Sequence, residues 1–318
     1  MAISDQLTQL NTIKGDIKAA IIAKGGTATD DFTTYATSIS NLPSGGGGDD
    51  TLKDLLERDI TSITIPDGTT NIGEFAFYKC TGLTSIVIPN SVVTLSQQAF
   101  AACNHLASVD LGSVTTLGNQ VFQSCTGLTS ITIPDSVTSI GNQVFHQCSG
   151  LTSVTIGNSV TSIGSLCFGN CSALTSITLP SSVTTLGNQV FQQSGLTSVD
   201  LGSVVTLGSQ VFTQCNSLTS ITVPNTVTSI GNNCFNNCRD LTSVTIGNSV
   251  TSIGGYVIYG SNNVTSVTCL ATTPPTIQAT SFQGPANLTI YVPSASVETY
   301  KTTGNWVNYA SQIQAISE

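Results

Sequence analysis

The side chains of this 318-residue chain that could do chemistry are ten cysteines, two histidines and a sparse set of carboxylates. Seven cysteines, Cys80, Cys103, Cys125, Cys148, Cys171, Cys215 and Cys238, stand three residues after a phenylalanine in one repeated column. Thiols so placed admit a disulfide framework, metal ligation or a packed core. The Phe-x-x-Cys offset points inward, where a thiol behaves as a small apolar group. The N-terminal stretch MAISDQLTQL has neither a basic n-region nor an apolar h-region, which argues for assembly in a cytoplasm and for reduced thiols. The reading is a buried thiol ladder, with disulfides and metal as alternatives. Cys167/Cys171 and Cys234/Cys238 are i,i+4 pairs, yet neither has a second ligand pair close in sequence. His105 and His146 occupy different repeat columns and read as exposed polar residues; neither is placed to activate a serine. A glycan depolymerase needs two carboxylates about 5–9.5 Å apart. Between Leu83 and Asn263 the acids are Asp110, Asp135, Asp200 and Asp240. Asp110 and Asp200 share a column but lie four coils apart, roughly 19 Å at about 4.8 Å per coil. The expectation is a protein that is not an enzyme and has no cofactor and no metal site.

What positions these residues is a repeat. Copies begin at Ile60, Leu83, Leu106, Leu128, Leu151, Leu174, Leu196, Leu218 and Leu241, with a partial tenth from Val264, at a period of 22 or 23 residues. In LTSITIPDSVTSIGNQVFHQCSG, starting at Leu128, the apolar positions are Leu128, Ile131, Ile133, Val137, Ile140, Phe145 and Cys148. SITI alternates as a strand with one buried face, and SVTSI is a second extended piece ending at Gly141. NQVFHQC lacks alternation and predicts a turn of irregular helix. One such coil cannot bury its apolar side, whereas stacked coils share a continuous core and need capped ends.

These copies resemble the BspA-like branch of leucine-rich repeats, whose pattern LxxIxIPxxVxxIGxxxFxxC is matched over roughly 60–270, with Phe-x-x-Cys in seven of nine copies. The copy from Leu174 departs with Phe191-Gln192-Gln193-Ser194 and is one residue short, which puts local register in doubt; the copy from Leu241 has Ile258 for Phe and no Cys. The resemblance implies an α/β repeat solenoid of about nine coils with short parallel strands over 60–267. The tail 268–318 resembles the family's closing segment, with Val297, Tyr300, Trp306, Tyr309 and Ile313 available to cover the last coil.

Upstream, Leu7, Leu10, Ile13, Ile17, Ala20 and Ile21 predict a helix over 4–24, and Phe32, Tyr35, Ala36 and Ile39 a second over 31–39. The resulting helical module 1–43 is followed by a Gly-rich linker 44–50 and a capping helix 51–59. Its two helices bury little on their own. The IIAKGG ending, the acidic pair and the FxxYAxxI stretch look like the N-terminal modules of phage tail and virion fibre proteins. That resemblance implies attachment to other virion proteins or self-association through 1–43, with a trimer favoured by analogy with fibres.

Only 8% of residues are charged, against roughly 25% in typical soluble domains, and the net charge is −9. This disfavours nucleic acid and anionic membranes, which reward basic clusters, and no apolar run approaches the roughly 20 residues of a membrane helix. The expected function is a bacteriophage virion fibre that displays the solenoid to a host-surface polysaccharide or protein. The alternatives are a structural or decorating virion protein such as a head fibre, and a bacterial surface adhesin of the BspA-like family. The two residues after each Phe vary most between copies, so the candidate contact edge comprises Tyr78, Lys79, His105, His146, Arg239, Tyr256 and Tyr259. The outward Thr/Ser strand face is the other candidate surface.

Overall fold

The computed structural model describes residues 61–65 and 67–317. The helices expected at 4–24 and 31–39, the linker 44–50 and the capping segment 51–59 lie outside the described residues.

Each coil carries a first strand, a second strand and a double turn. Within Ser130–Ile133 the residues Ile131 and Ile133 are buried while Ser130 and Thr132 face out, as the alternation dictates. Stacking sets equivalent residues in parallel register, Ser130 on Ser153 and Ile133 on Ile156. The first-strand column recurs eleven times, from Ser62–Thr64 to Thr289–Val292, in four shorter sheets that break after Asp110, Ile156 and Asp200. The second-strand column is a single ten-stranded sheet from Asn71–Ile72 to Thr276–Ile277.

The solenoid is longer than the repeat pattern foretold. Thr276–Ile277 pairs with Ser252–Ile253, Thr289–Val292 extends the first-strand ladder, and Ile313–Ala315 adds one more parallel strand. Ladder bonds are made by the backbone, so coils persist after the Leu and Phe signature has faded, provided that alternation survives, as it does in Thr289–Val292.

The stretch NQVFHQC is not helical. It is two successive turns with Gln143 and Gln147 in the left-handed region at φ 57° and 63°, and the same two columns are left-handed in nearly every coil. The amides of Gln143, Phe145 and Gln147 donate to the carbonyls of Ser165, Cys167 and Gly169 in the next coil at 2.8, 3.0 and 2.8 Å. Those of His146 and Cys148 turn back onto Gln143 and Phe145 at 3.1 Å. Left-handed backbone costs a non-glycine residue about 1–2 kcal/mol, and here it aims alternate amides between coils, making a third ladder.

Two length changes are absorbed in turns. In SVDLGS copies the turn closes on a carboxylate: the Gly112 and Gly202 amides donate to Asp110 and Asp200 at 3.0 and 2.9 Å, with the glycines at φ 48° and 52°. The short copy from Leu174 loses its residue between Ser194 and Leu196, and register is kept, with Ser176 on Ser198 and Thr185 on Thr206.

The core is a set of side-chain columns. Eight phenylalanines from Phe77 to Phe235 stack in parallel with centroids 5.1–5.8 Å apart. Ile258 takes the next place and is fully buried. Phe282 then packs on Trp306 at 5.4 Å and edge-on to Tyr309. The end is closed by aromatics whose polar tips meet open backbone groups. Tyr300 Oη donates to Ala271 O at 2.7 Å, Trp306 Nε1 to Pro275 O at 2.7 Å and Tyr309 Oη to Ala279 O at 2.8 Å. Such groups suit a position that is apolar on one side and hydrogen-bonding on the other. Of the five residues expected to cover the last coil, Tyr300, Trp306, Tyr309 and Ile313 are buried, and Val297 is partly so.

Candidate functional site

All ten cysteines are buried thiols. Those of the column donate to the Phe carbonyl of the preceding coil: Cys103 to Phe77, Cys125 to Phe100, Cys148 to Phe122 and Cys171 to Phe145, at 3.0–3.2 Å. Ser261 fills the column where the copy from Leu241 has no cysteine, and its Oγ donates to Phe235 O at 2.7 Å. A small buried donor is what the column requires. Burial pushes Cys125 and Cys171 up to about 12 and Cys215 to about 11, away from the thiolate form that attacks or ligates. Among the described residues no group of three or more His, Cys, Asp or Glu side chains could hold a metal ion.

Three of the four solenoid carboxylates are also committed to structure. Asp110 and Asp200 close their own turns, and Asp135 accepts the amide of Asn158 in the next coil at 2.6 Å. On the strand side, Thr hydroxyls bond to carbonyls of the preceding coil, as Thr152 does to Thr129 at 3.0 Å and Thr161 to Thr138 at 3.1 Å.

The double turn is where side chains become individual, and it carries most of the expected contact residues. Tyr78, His146 and Tyr259 share one column, with Lys79 one residue further on; they rise from different coils along a single edge. Lys79 Nζ lies 5.3 Å over the Tyr78 ring. Tyr256 and Tyr259 form an exposed edge-to-face pair with centroids 5.5 Å apart. At the other end of the edge Phe75, 42% exposed, makes the same arrangement with Tyr78 at 5.8 Å. Phe75 is absent from the candidate residues, although it occupies the column that holds glutamine in most coils and Tyr256 in the copy from Leu241. The edge is therefore a run of amides bracketed by two aromatic pairs in identical columns.

The two histidines do not join either pair. His105 is exposed and its Nδ1 bonds to the Thr81 carbonyl. His146 is half-buried, its Nδ1 has no hydrogen-bond partner, and burial lowers its pKa below the ordinary histidine value. Arg239 is exposed at the corner that follows the double turn, the corner where the copy from Leu174 is short. No helix among the described residues is long and apolar enough to cross a membrane.

Several solved leucine-rich-repeat structures are similar to this chain. A leucine-rich cell surface protein from Faecalibacterium prausnitzii is 27% identical, with 81% of this chain and 79% of that chain covered and a TM-score of 0.48. A leucine-rich repeat protein from Eubacterium ventriosum is 23% identical over 80% of this chain and 75% of that one, with a TM-score of 0.50. One from Bacteroides ovatus is 23% identical over 82% and 85%, with a TM-score of 0.44. No curated protein matches. Residues 56–172, 138–265 and 205–308 match the BspA type leucine rich repeat region. With the repeat signature, the three backbone ladders and that match over most of its length, the chain belongs to the BspA-type leucine-rich-repeat family.

Proposed function

We propose that this protein is a non-catalytic recognition and display protein, whose stacked coils hold the double-turn edge toward macromolecules of a cell surface. The observation that carries this reading is the contrast between faces. The thiols, three of the four solenoid carboxylates and the Thr hydroxyls above are spent on internal bonds, whereas the edge carries two aromatic pairs, Lys79 and a run of amides whose mutual bonds, such as Gln120 to Gln143 and Gln189 to Gln192, leave their aromatic neighbours Phe75, Tyr256 and Tyr259 facing out. Aromatic faces and amides suit a neutral polysaccharide or a repetitive protein surface, with weak single contacts multiplied by display in many copies. The setting favoured by family membership is the bacterial cell surface, as an adhesin. A bacteriophage virion fibre is the second setting, and the resemblance of 1–43 to fibre modules supports it; a head fibre without a ligand is its structural variant. In either setting 1–43 would serve attachment or self-association, as a trimer by analogy.

The test is binding of bead-coupled full-length protein to a panel of bacterial and host cells, against the uncoupled chain. Multivalent binding with little salt dependence, lost in the Y256A/Y259A double variant, is the expected result. Beads that bind no cell type better than an unrelated protein would leave a structural role. Immunogold labelling of source cells and of virions separates the two settings.

A further inference from the structure

The copy from Leu174 is one residue short at Ser194–Gly195. At this shortened corner, which bonds back through Gly195 N to the Cys171 carbonyl, lies a notch of about 540 Å³. The notch is lined by Asn170, Ser172, Gln193, Gln214, Asn216 and Arg239, contributed by four successive coils. Elsewhere the corner holds two residues before the next leucine, as in Ser149-Gly150, Asn216-Ser217 and Arg239-Asp240. Nothing in the lining is an apolar side chain. Arg239 is the only Lys or Arg between Leu83 and Asn263. Among the described residues its guanidinium pairs with no carboxylate, its neighbour Asp240 included.

We propose that this notch is a binding site for a saccharide that carries a carboxylate, of the uronic-acid class. A guanidinium presents a planar fork of donors that matches a carboxylate, and amides and hydroxyls on the facing coils offer donors and acceptors to ring hydroxyls. The absence of apolar lining disfavours a peptide side chain. The low charge of the surrounding coils means that this contact acts at short range, so a short oligomer with one carboxylate in the notch is the ligand form. The proposal rests on the reading of the solenoid as a recognition surface, but it uses a corner distinct from the aromatic pairs.

The experiment is isothermal titration of the full chain with short oligogalacturonate, a sulfated galactan oligomer and neutral maltooligosaccharide. Oligogalacturonate should bind and the neutral oligomer should not. Arg239→Gln should weaken that binding at least about tenfold. Inserting a serine between Ser194 and Gly195 restores the usual corner length and should abolish binding with the melting temperature unchanged. The Y256A/Y259A variant should bind oligogalacturonate normally, so loss of cell attachment in that variant alone separates the aromatic edge from the notch. No binding of oligogalacturonate, equal binding by the neutral oligomer, preference for the sulfated one, or insertion and R239Q variants that bind like the parent would each overturn the proposal.

Discussion

At the scale of single residues, the thiol column couples stability to pH. Burial raises the folded-state pKa of Cys125 and Cys171 to about 12 and of Cys215 to about 11, and pushes Cys148 and Cys167 up as well. The folded chain therefore holds protons that the unfolded chain gives up as pH rises past the ordinary thiol value. Stability is complete below that value and is lost progressively up to the raised pKa, at a limiting slope of about 1.4 kcal/mol per pH unit for each thiol. Urea midpoints should hold up to the ordinary thiol value and then fall as pH rises toward 11, less steeply when column cysteines are replaced by serine, the residue that position 261 already tolerates. Thiol labelling of native protein should be slow and should reach all ten cysteines only on denaturation. His146 behaves in the opposite sense. Its pKa is lowered by burial, so the unfolded chain takes a proton first, and stability is lost as pH falls through the ordinary histidine value. His146→Gln should remove that acid sensitivity, read as the change in melting temperature between pH 7.5 and pH 5.

At the scale of elements, the coils are held at a spacing that some positions cannot relax. A Cβ on Gly231 would lie 2.5 Å from the backbone of Gly208 and Ser209, and one on Gly164 would lie 2.6 Å from Gly141. These glycines follow the second strand, where the backbones of successive coils approach closely. Gly231→Ala should cost about 1–3 kcal/mol, the usual penalty for forcing added atoms into a packed interior, measured as a lowered urea midpoint. The Phe stack is the complementary element. Phe145 sits between Phe122 and Phe168 at 5.7 and 5.5 Å, so Phe145→Ala should cost about 3–5 kcal/mol.

For the whole molecule, every coil relies on its neighbours, and the open end must be closed. Trp306 is buried against Phe282 and Tyr300 and supplies the donor for the Pro275 carbonyl. Trp306→Ala removes both at once, and should lower stability by about 3–5 kcal/mol and promote association through the exposed ladder edge, visible as loss of monodispersity in light scattering. A truncation before Ser294 should do the same more severely. The same nearest-neighbour construction gives the solenoid its display geometry, because the aromatic pairs at the two ends of the edge keep their separation only while all intervening coils are stacked.

Period, strand alternation, inward Phe and Cys, and the surface of Ser and Thr were all legible in the sequence, because each is a local choice repeated until it becomes unmistakable. Val297, Tyr300, Trp306, Tyr309 and Ile313 could be picked as cap residues for the same reason: they are large apolar side chains placed after the repeat fades. What could not be read was whatever depends on contact between coils. The double turn at Gln143–Gln147 passed for a helix, since its left-handed residues are ordinary glutamines and its bonds go to the next coil. The added coils beyond residue 267 are defined by backbone pairing that leaves little trace in side chains. Phe75 shares a repeat column with Tyr256, but its edge-on pairing with Tyr78 exists only in the folded double turn. The notch beside Arg239 lies where one copy is a residue short, and its walls come from four coils that meet only when they stack.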